Sequence, residues 1–330
     1  MIRLRSAIAA LPAYTAGKAA PVMDRMDSFK LSSNENPFPP LPGVIEATAA
    51  AVAQMNRYPD IANIEMTRAL SSRLGVPGEQ LAFGTGSVAV LYHLLQAACE
   101  AGDEVVYAWR SFEAYPIAVQ LTGATGVPVP LAPGAIHDLE AMRRAVTRDT
   151  KVIMLCTPNN PTGPALQHQQ VIDFIDSVPD HIMIVLDEAY VEFITDPQGL
   201  QGLDALAGRP NVVVLRTFSK AYGLAGFRVG YCIADPQVAA AVRGSAHLWG
   251  LHRRPGGGDC LSGRRAAAAG PGCGARQGAR RARRRLTGPG FRHSRRPGQL
   301  RLAAGRPADC GVRSGFCPFR GCGAAVRLGW

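Results

Sequence analysis

Three short apolar runs in this 330-residue chain each give way to a cluster of residues able to do chemistry. Val152–Cys156 leads into Thr157-Pro158-Asn159-Asn160-Pro161-Thr162-Gly163, a rigid turn that presents amides but, taken alone, reads first as a plain Asn-Pro turn. Ile182–Leu186 leads into Asp187-Glu188-Ala189-Tyr190. An acid at the end of a buried strand is costly unless a cation or a donor meets it. A protonated ring nitrogen is one such partner, and the magnesium ion of an ATPase is another. Val212–Leu215 leads into Arg216-Thr217-Phe218-Ser219-Lys220, with Arg228 eight residues further on. A lone lysine is usually a solvated surface residue. This one follows a buried strand and stands beside Ser219 and Arg228, both suited to a phosphate. A lysine whose pKa is lowered can attack a carbonyl carbon and form a Schiff base. Upstream, Gly84-Thr85-Gly86-Ser87 opens a helix whose free N–H groups make an anion site.

Short apolar runs alternate with helical patterns between residues 40 and 240, which predicts an α/β fold with a mostly parallel sheet sandwiched by helices. Glu104–Tyr107 joins the three runs above as a strand, all four apolar on both faces as covered strands are. Helices are expected over Ser87–Glu100 and Leu166–Ser177. In such sheets ligands sit outside the carboxyl ends of the strands, so the polar clusters are expected to share one pocket. The glycine turn, completed by Ala89, is also a weak dinucleotide motif, but the strand after it ends in Ala108-Trp109-Arg110-Ser111 with no acid for a ribose. No G-x-x-x-x-G-K-[ST] loop is present, which removes the ATPase reading of Asp187 and Glu188. Leu31–Pro42, with four prolines, is expected to form an extended, ordered arm.

The formal charge of +11 suggests a nucleic-acid protein until its distribution is examined. Eighteen of the 36 basic residues but only two of the 25 acids, Asp259 and Asp309, lie from Gly244 onward, so that region carries +16 and residues 1–243 carry −5. Five of the eight cysteines crowd the same tail, which has 18 arginines, no lysine and no sustained helical or alternating period. Arg, Gly, Ala, Pro and Cys are what a GC-rich gene yields out of frame, and we read 244–330 as the product of a frameshift near codon 244. Nucleic-acid binding through the tail would need interleaved aromatics, of which it has little. Cys310, Cys317 and Cys322 lack the close pairing of a zinc site, and no metal is expected. The N-terminus lacks the apolar stretch of a secretory signal, and no run of about 20 apolar residues is present to span a membrane. A cytoplasmic location is expected.

From about Leu11 to Arg243 the chain resembles the fold-type I aminotransferases, and more closely the histidinol-phosphate aminotransferase family. Ser32–Pro37, Arg57-Tyr58-Pro59-Asp60, Pro158–Gly163, Asp187–Tyr190 and Thr217–Gly230 carry the resemblance. Within that family, Trp109–Tyr115 and Arg216–Gly226 look most like the actinobacterial-type aromatic amino acid (phenylalanine) aminotransferases. The resemblance implies pyridoxal 5′-phosphate as cofactor, held as a Schiff base on Lys220, which also shuttles the proton. It implies Asp187 on the pyridinium nitrogen, Asn160 and Tyr190 on the phenolic oxygen, and Phe112 stacked on the ring. Gly86, Ser87, Val88, Ser219 and Arg228 would grip the phosphate. Tyr58 would reach the cofactor of a partner subunit in a homodimer, and Asn34 would lie near the substrate.

The implied organisation is an arm over 1–42, a large cofactor-binding domain over 43–243, and the tail where relatives carry a C-terminal small domain. That small domain supplies an arginine for the substrate carboxylate, and none can be nominated here. The chain as given is therefore expected to be poorly folded or inactive. The implied reaction is ping-pong transfer of an amino group from an aromatic amino acid to a 2-oxo acid such as 2-oxoglutarate, with histidinol phosphate as the alternative donor. Phe38, Trp109 and Tyr115 favour an aromatic substrate, or are ordinary core.

Overall fold

The structure is a computed structural model that describes residues 32–246 and the backbone of two short antiparallel strands, Phe291–His293 and Leu302–Ala304. Residues 1–31 and the rest of the tail, with its arginine runs and cysteines, lie outside the described residues.

Seven strands form one sheet: β1 (Leu81–Gly84), β2 (Glu104–Trp109), β3 (Thr125–Pro130), β4 (Thr150–Cys156), β5 (Met183–Asp187), β6 (Val212–Thr217) and β7 (Gly230–Ile233). Their spatial order is β1-β7-β6-β5-β4-β2-β3. All neighbouring pairs from β6 across to β3 are parallel, whereas β7 runs antiparallel to both β6 and β1. The reversal of β7 leaves β1 pointing the same way as β6. The carboxyl ends of β1, β2, β4, β5 and β6 therefore share one edge, together with the start of β7. Among the described residues the fold is the mostly parallel α/β sheet expected from the alternating pattern.

Each central strand is apolar on both faces because helices cover both. Ile153, Leu155, Ile184, Leu186, Val212 and Val214 pack toward Phe174 and Ile175 of α6 (His168–Asp176). Val152, Met154, Val185, Val213 and Leu215 pack toward Leu91, Leu94 and Leu95 of α3 (Ser87–Ala98). The intervening helices α4 (Ala114–Thr122) and α5 (Leu139–Arg144) cap the other strand connections. Nearly all of these side chains are fully buried, and each contributes on the order of 1.5–3 kcal/mol.

Three strands escape the pattern read from the sequence. β1 and β7 are four residues each, and β7 opens on a glycine. β3 contains Pro128 and Pro130 and leaves most of its side chains accessible; it pairs with β2 alone, the edge position that proline tolerates. Helix α3 stops two residues short of the expected Glu100, where Cys99 turns extended, and α6 occupies the middle of the expected Leu166–Ser177.

The arm is not simply extended. It begins with a 3-10 turn at Ser32–Asn34, in which Ser33 and Asn34 take φ of 72° and 49° before the proline-rich stretch. Beyond it, α1 (Val44–Val52) and α2 (Ile64–Leu74) precede the sheet.

Candidate active site

Every chemical residue singled out in the body lies at or just after the carboxyl end of a strand on the shared edge, except the arm residues and Tyr58. Asp187 is the last residue of β5, buried beside its neighbours. Tyr115, from α4, donates its phenol to Asp187 Oδ2 at 2.7 Å, and the backbone N–H of Ala189 donates to Oδ1 at 3.2 Å. Both donors are neutral. Burial pushes the Asp187 carboxyl above its usual pKa of 3.8, the Tyr115 bond pulling the other way.

Lys220 stands three residues beyond the end of β6, the strand next to β5. Its Nζ donates to the carbonyl of Ser33 at 2.7 Å and lies 5.7 Å from the centre of the Tyr190 ring. Burial lowers the Lys220 pKa from 10.5, and the nearby positive charge of Arg228 lowers it further. Lys220 and Asp187 feel one another's charge across the edge. Depressed basicity suits an amine that must act as a nucleophile or base near neutrality.

The anion cradle lies where β1, β6 and β7 meet. Gly86 caps α3 with φ of 93°, and a Cβ there would stand 2.5 Å from Arg228 Nη2. A side chain on Gly230 would collide with the backbone of Ser87, so a glycine is needed for β7 to start so near the helix. Arg228 Nη1 donates to Ser219 Oγ at 3.4 Å, and Thr217 Oγ1 donates to the same oxygen at 3.0 Å. Guanidinium, hydroxyl and the first turn of α3, with Ser87 and Val88, thus converge as a phosphate would require.

On the opposite side of Lys220, Asn34 Nδ2 donates to the Tyr190 phenol at 2.9 Å, and Asn36 Nδ2 to the Ala221 carbonyl at 3.0 Å. Burial raises the Tyr190 phenol to about 12. Asn34, Asn159, Asn160, Tyr190 and Phe193 line a cavity of about 220 Å³. Asn159 is fully engaged: its amide nitrogen donates to the Arg110 carbonyl and to Thr162 Oγ1, and Ser111 Oγ donates to its oxygen at 2.7 Å. Buried His137 approaches the same oxygen at 3.2 Å through Nε2, and its burial lowers the imidazole pKa to about 4. Asn159 thus holds the turn while Asn160 faces the cavity.

Phe112 lies against Tyr115 edge-on, with ring centroids 5.7 Å apart. Tyr58 is 95% exposed. It is the one nominated residue that the described residues do not bring to the edge. The aromatic substrate contact foreseen for Tyr115 is excluded, because the side chain is fully buried with its hydroxyl on Asp187. Phe38 is half-exposed on the arm. The sequence does not single out Ser111, His137 or the Ser33 carbonyl as parts of the site, nor the bond between Tyr115 and Asp187. For Tyr115 the available signal was its spacing of three residues from Phe112, one helical turn.

A cofactor with a phosphate at one end and a cationic ring nitrogen at the other fits this donor set: the cradle offers positive charge and N–H groups, and Asp187 offers an acceptor flanked only by neutral donors. Among the described residues no group of three or more His, Cys, Asp or Glu is arranged to hold a metal ion, and no helix is long and apolar enough to cross a membrane.

Comparison with known proteins agrees with the geometry. The aromatic amino acid aminotransferase of Streptomyces avermitilis is 54% identical over 249 residues, covering 76% of this chain and 69% of that one. The protein of the same name from Streptomyces coelicolor is 53% identical over 249 residues with the same coverage. Among solved structures, histidinol-phosphate aminotransferase from Sinorhizobium meliloti in complex with pyridoxal-5′-phosphate superposes with a TM-score of 0.66 at 30% identity, over 76% of this chain and 70% of that one. Aspartate aminotransferase from Thermus thermophilus with maleate gives 0.68 at 27% identity, over 77% and 69%. The family profile described as aminotransferase class I and II matches residues 27–249, and by that match and these relatives the chain belongs to the class I and II aminotransferases.

Proposed function

We propose that residues 43–243 hold pyridoxal 5′-phosphate and that the chemistry served is amino transfer from an aromatic amino acid to a 2-oxo acid such as 2-oxoglutarate. One observation carries the reading: an amine of lowered basicity and a buried carboxylate with neutral partners face each other along one sheet edge, with an anion cradle beside them. When bound, the cofactor supplies an electron sink for the carbanion formed at the substrate's Cα. The chain's own residues do the rest. Arg228, Ser219 and the first turn of α3 would bind the phosphate. Asp187 would accept from the ring N–H, and Phe112 would pack on the ring. Tyr190 and Asn160 would orient the phenolic oxygen. Lys220 would hold the cofactor and carry the proton to and from Cα. Asn34, bonded to Tyr190, ties the arm to the substrate side. The aromatic preference rests on the names of the relatives at 53–54% identity.

The same reading makes the protein a homodimer. Ile45, Val52, Met55, Tyr58, Ile61 and Ile64 expose a run of apolar side chains from α1 through the segment after it to the first residue of α2. A second copy covering that face would bring Tyr58 to the neighbouring cradle. From residue 250 onward the family match does not continue, and the arginine that should clamp a substrate carboxylate has no counterpart among the described residues. Cofactor capture is therefore expected to survive in this chain better than turnover does.

The test is a visible absorption spectrum of the purified 330-residue chain with pyridoxal 5′-phosphate, beside Lys220→Ala. A band that appears in the first and is lost in the variant supports the assignment; identical spectra sink it. Phenylalanine and histidinol phosphate, offered in turn as amino donors, then separate the two substrate classes by which of them discharges the band.

A further inference from the structure

Asp187 has one side-chain hydrogen-bond partner among the described residues, and that partner comes from α4, which starts two residues after Phe112. Tyr115 is 1% exposed, and its hydroxyl stands 2.7 Å from Asp187 Oδ2. Its ring is wedged edge-on between Tyr107, at 6.1 Å, and Phe112, at 5.7 Å. One side chain therefore touches both the carboxylate assigned to the ring nitrogen and the aromatic ring assigned to the ring face. We propose that Tyr115 is a positioning residue: its phenol holds Asp187 in the ionised, acceptor-only form aimed at the ring nitrogen, while its ring sets the tilt of Phe112. This inference rests on the reading of the site as a pyridoxal 5′-phosphate site.

The chemistry of the surroundings leaves this task to a neutral donor. The titratable groups whose charge or hydrogen bonds act on Asp187 are Tyr115 from α4, Cys156 at the end of β4, Lys220 beyond β6, Tyr190 on its own segment, and Glu188 from the other face. Burial holds the Cys156 thiol and the Tyr190 phenol at about 12 and the Tyr115 phenol well above 10, so none of the three releases a proton in the ordinary range. Glu188 is engaged elsewhere by Arg216. A cation placed where Tyr115 lies would neutralise Asp187 and compete with the ring nitrogen. A phenol stabilises the anion and leaves its charge available.

The experiment compares the full chain with Tyr115→Phe, Asp187→Asn and the double variant. The phenylalanine keeps the packed ring and removes only the hydroxyl. Two readouts are taken: the cofactor dissociation constant from the visible band, and urea unfolding against pH without cofactor. Removing the phenol should weaken cofactor binding roughly tenfold, the size of one hydrogen bond to a charged group. In the Asp187→Asn background the same change should cost little more. Without cofactor, losing a donor to the anion raises the Asp187 pKa further, so the decline of stability with rising pH should extend to higher pH, and should vanish with Asp187→Asn. Equal weakening in both backgrounds with an unmoved pH limb would reduce Tyr115 to packing and overturn the inference. If the parent chain shows no Lys220-dependent band, the cofactor reading fails and this inference with it; if the band is present and Tyr115→Phe is silent, only this inference fails.

Discussion

Asp187 and Glu188 leave the end of β5 on opposite faces of one sheet, both buried, yet their surroundings differ in kind. On the face covered by α6, Glu188 accepts from Arg216 Nε at 2.8 Å and Nη2 at 2.7 Å, and from the N–H of Gly202, which opens α7 (Gly202–Leu206), at 2.9 Å. Burial alone would lower the Arg216 pKa, but Glu188 and the Tyr231 phenol outweigh it and hold the guanidinium charged. On the face covered by α3, Asp187 meets a phenol and a backbone N–H and no bonded cation. The Glu188 set is closed, every charge answered within the fold. The Asp187 set is left with acceptor capacity to spare in a place where unanswered charge is expensive. A buried acid is thus better read by its partners than by its burial: a cation marks a structural pair, and neutral donors mark a carboxylate kept for something else.

The contrast breaks most visibly at Arg216. Arg216→Met leaves Glu188 buried and unanswered, and should lower unfolding stability by about 3–5 kcal/mol in urea denaturation. Replacing Glu188 by Leu as well should restore most of it; a loss under about 1 kcal/mol in the single variant would show that water reaches the pair. A smaller effect is expected at Gly202, where an added methyl would press on the Glu188 carboxylate. Gly202→Ala should cost about 1–3 kcal/mol by overpacking, read as a lower urea midpoint with unchanged slope.

The smallest effect belongs to Asp187 itself. Its folded pKa lies above the ordinary 3.8, so the native state binds the proton more tightly than the unfolded chain. Its contribution to stability is present in full below that ordinary value and is lost as pH rises through the folded one. Asp187→Asn should therefore remove a downward slope of stability with pH and leave the chain no less stable near neutrality. Urea midpoints taken in steps upward from acid pH would reveal a retained slope, and with it a different titrating group.

The sequence makes one side of this contrast much easier to read than the other. β4, β5 and β6 are legible because both of their faces are apolar, and the residues after them are legible because strand ends gather ligands. Lys220, Asp187, Ser219 and Arg228 stand together on that ground. The pairing of Tyr115 with Asp187 is not legible, since the two lie 72 positions apart and the helical setting of Tyr115 looks like core. Pairing between Asp187 and a distant helix is a tertiary fact with no local pattern. The left-handed turn at Ser33 and Asn34 is not legible, because neither residue is a glycine and the prolines after it favour extension throughout. β3 was hidden by its prolines, which an edge strand accepts and a central one would not.

The reversed direction of β7 has a consequence for distance. Two parallel strands need a crossover long enough to climb back over the sheet, whereas an antiparallel neighbour can be reached by a short loop. Thr217 pairs with Gly230, so the span between them, residues 218–229, carries both the amine of Lys220 and the guanidinium of Arg228. The span is stitched at its base by Phe218 N–H to the Val229 carbonyl, at 3.1 Å, and folded back on itself by Leu224 N–H to the Phe218 carbonyl, at 3.0 Å. One inverted strand thereby acts as a caliper: the group that would seize an aldehyde and the group that would seize a phosphate ride on a single loop whose two ends are fixed by β6 and β7.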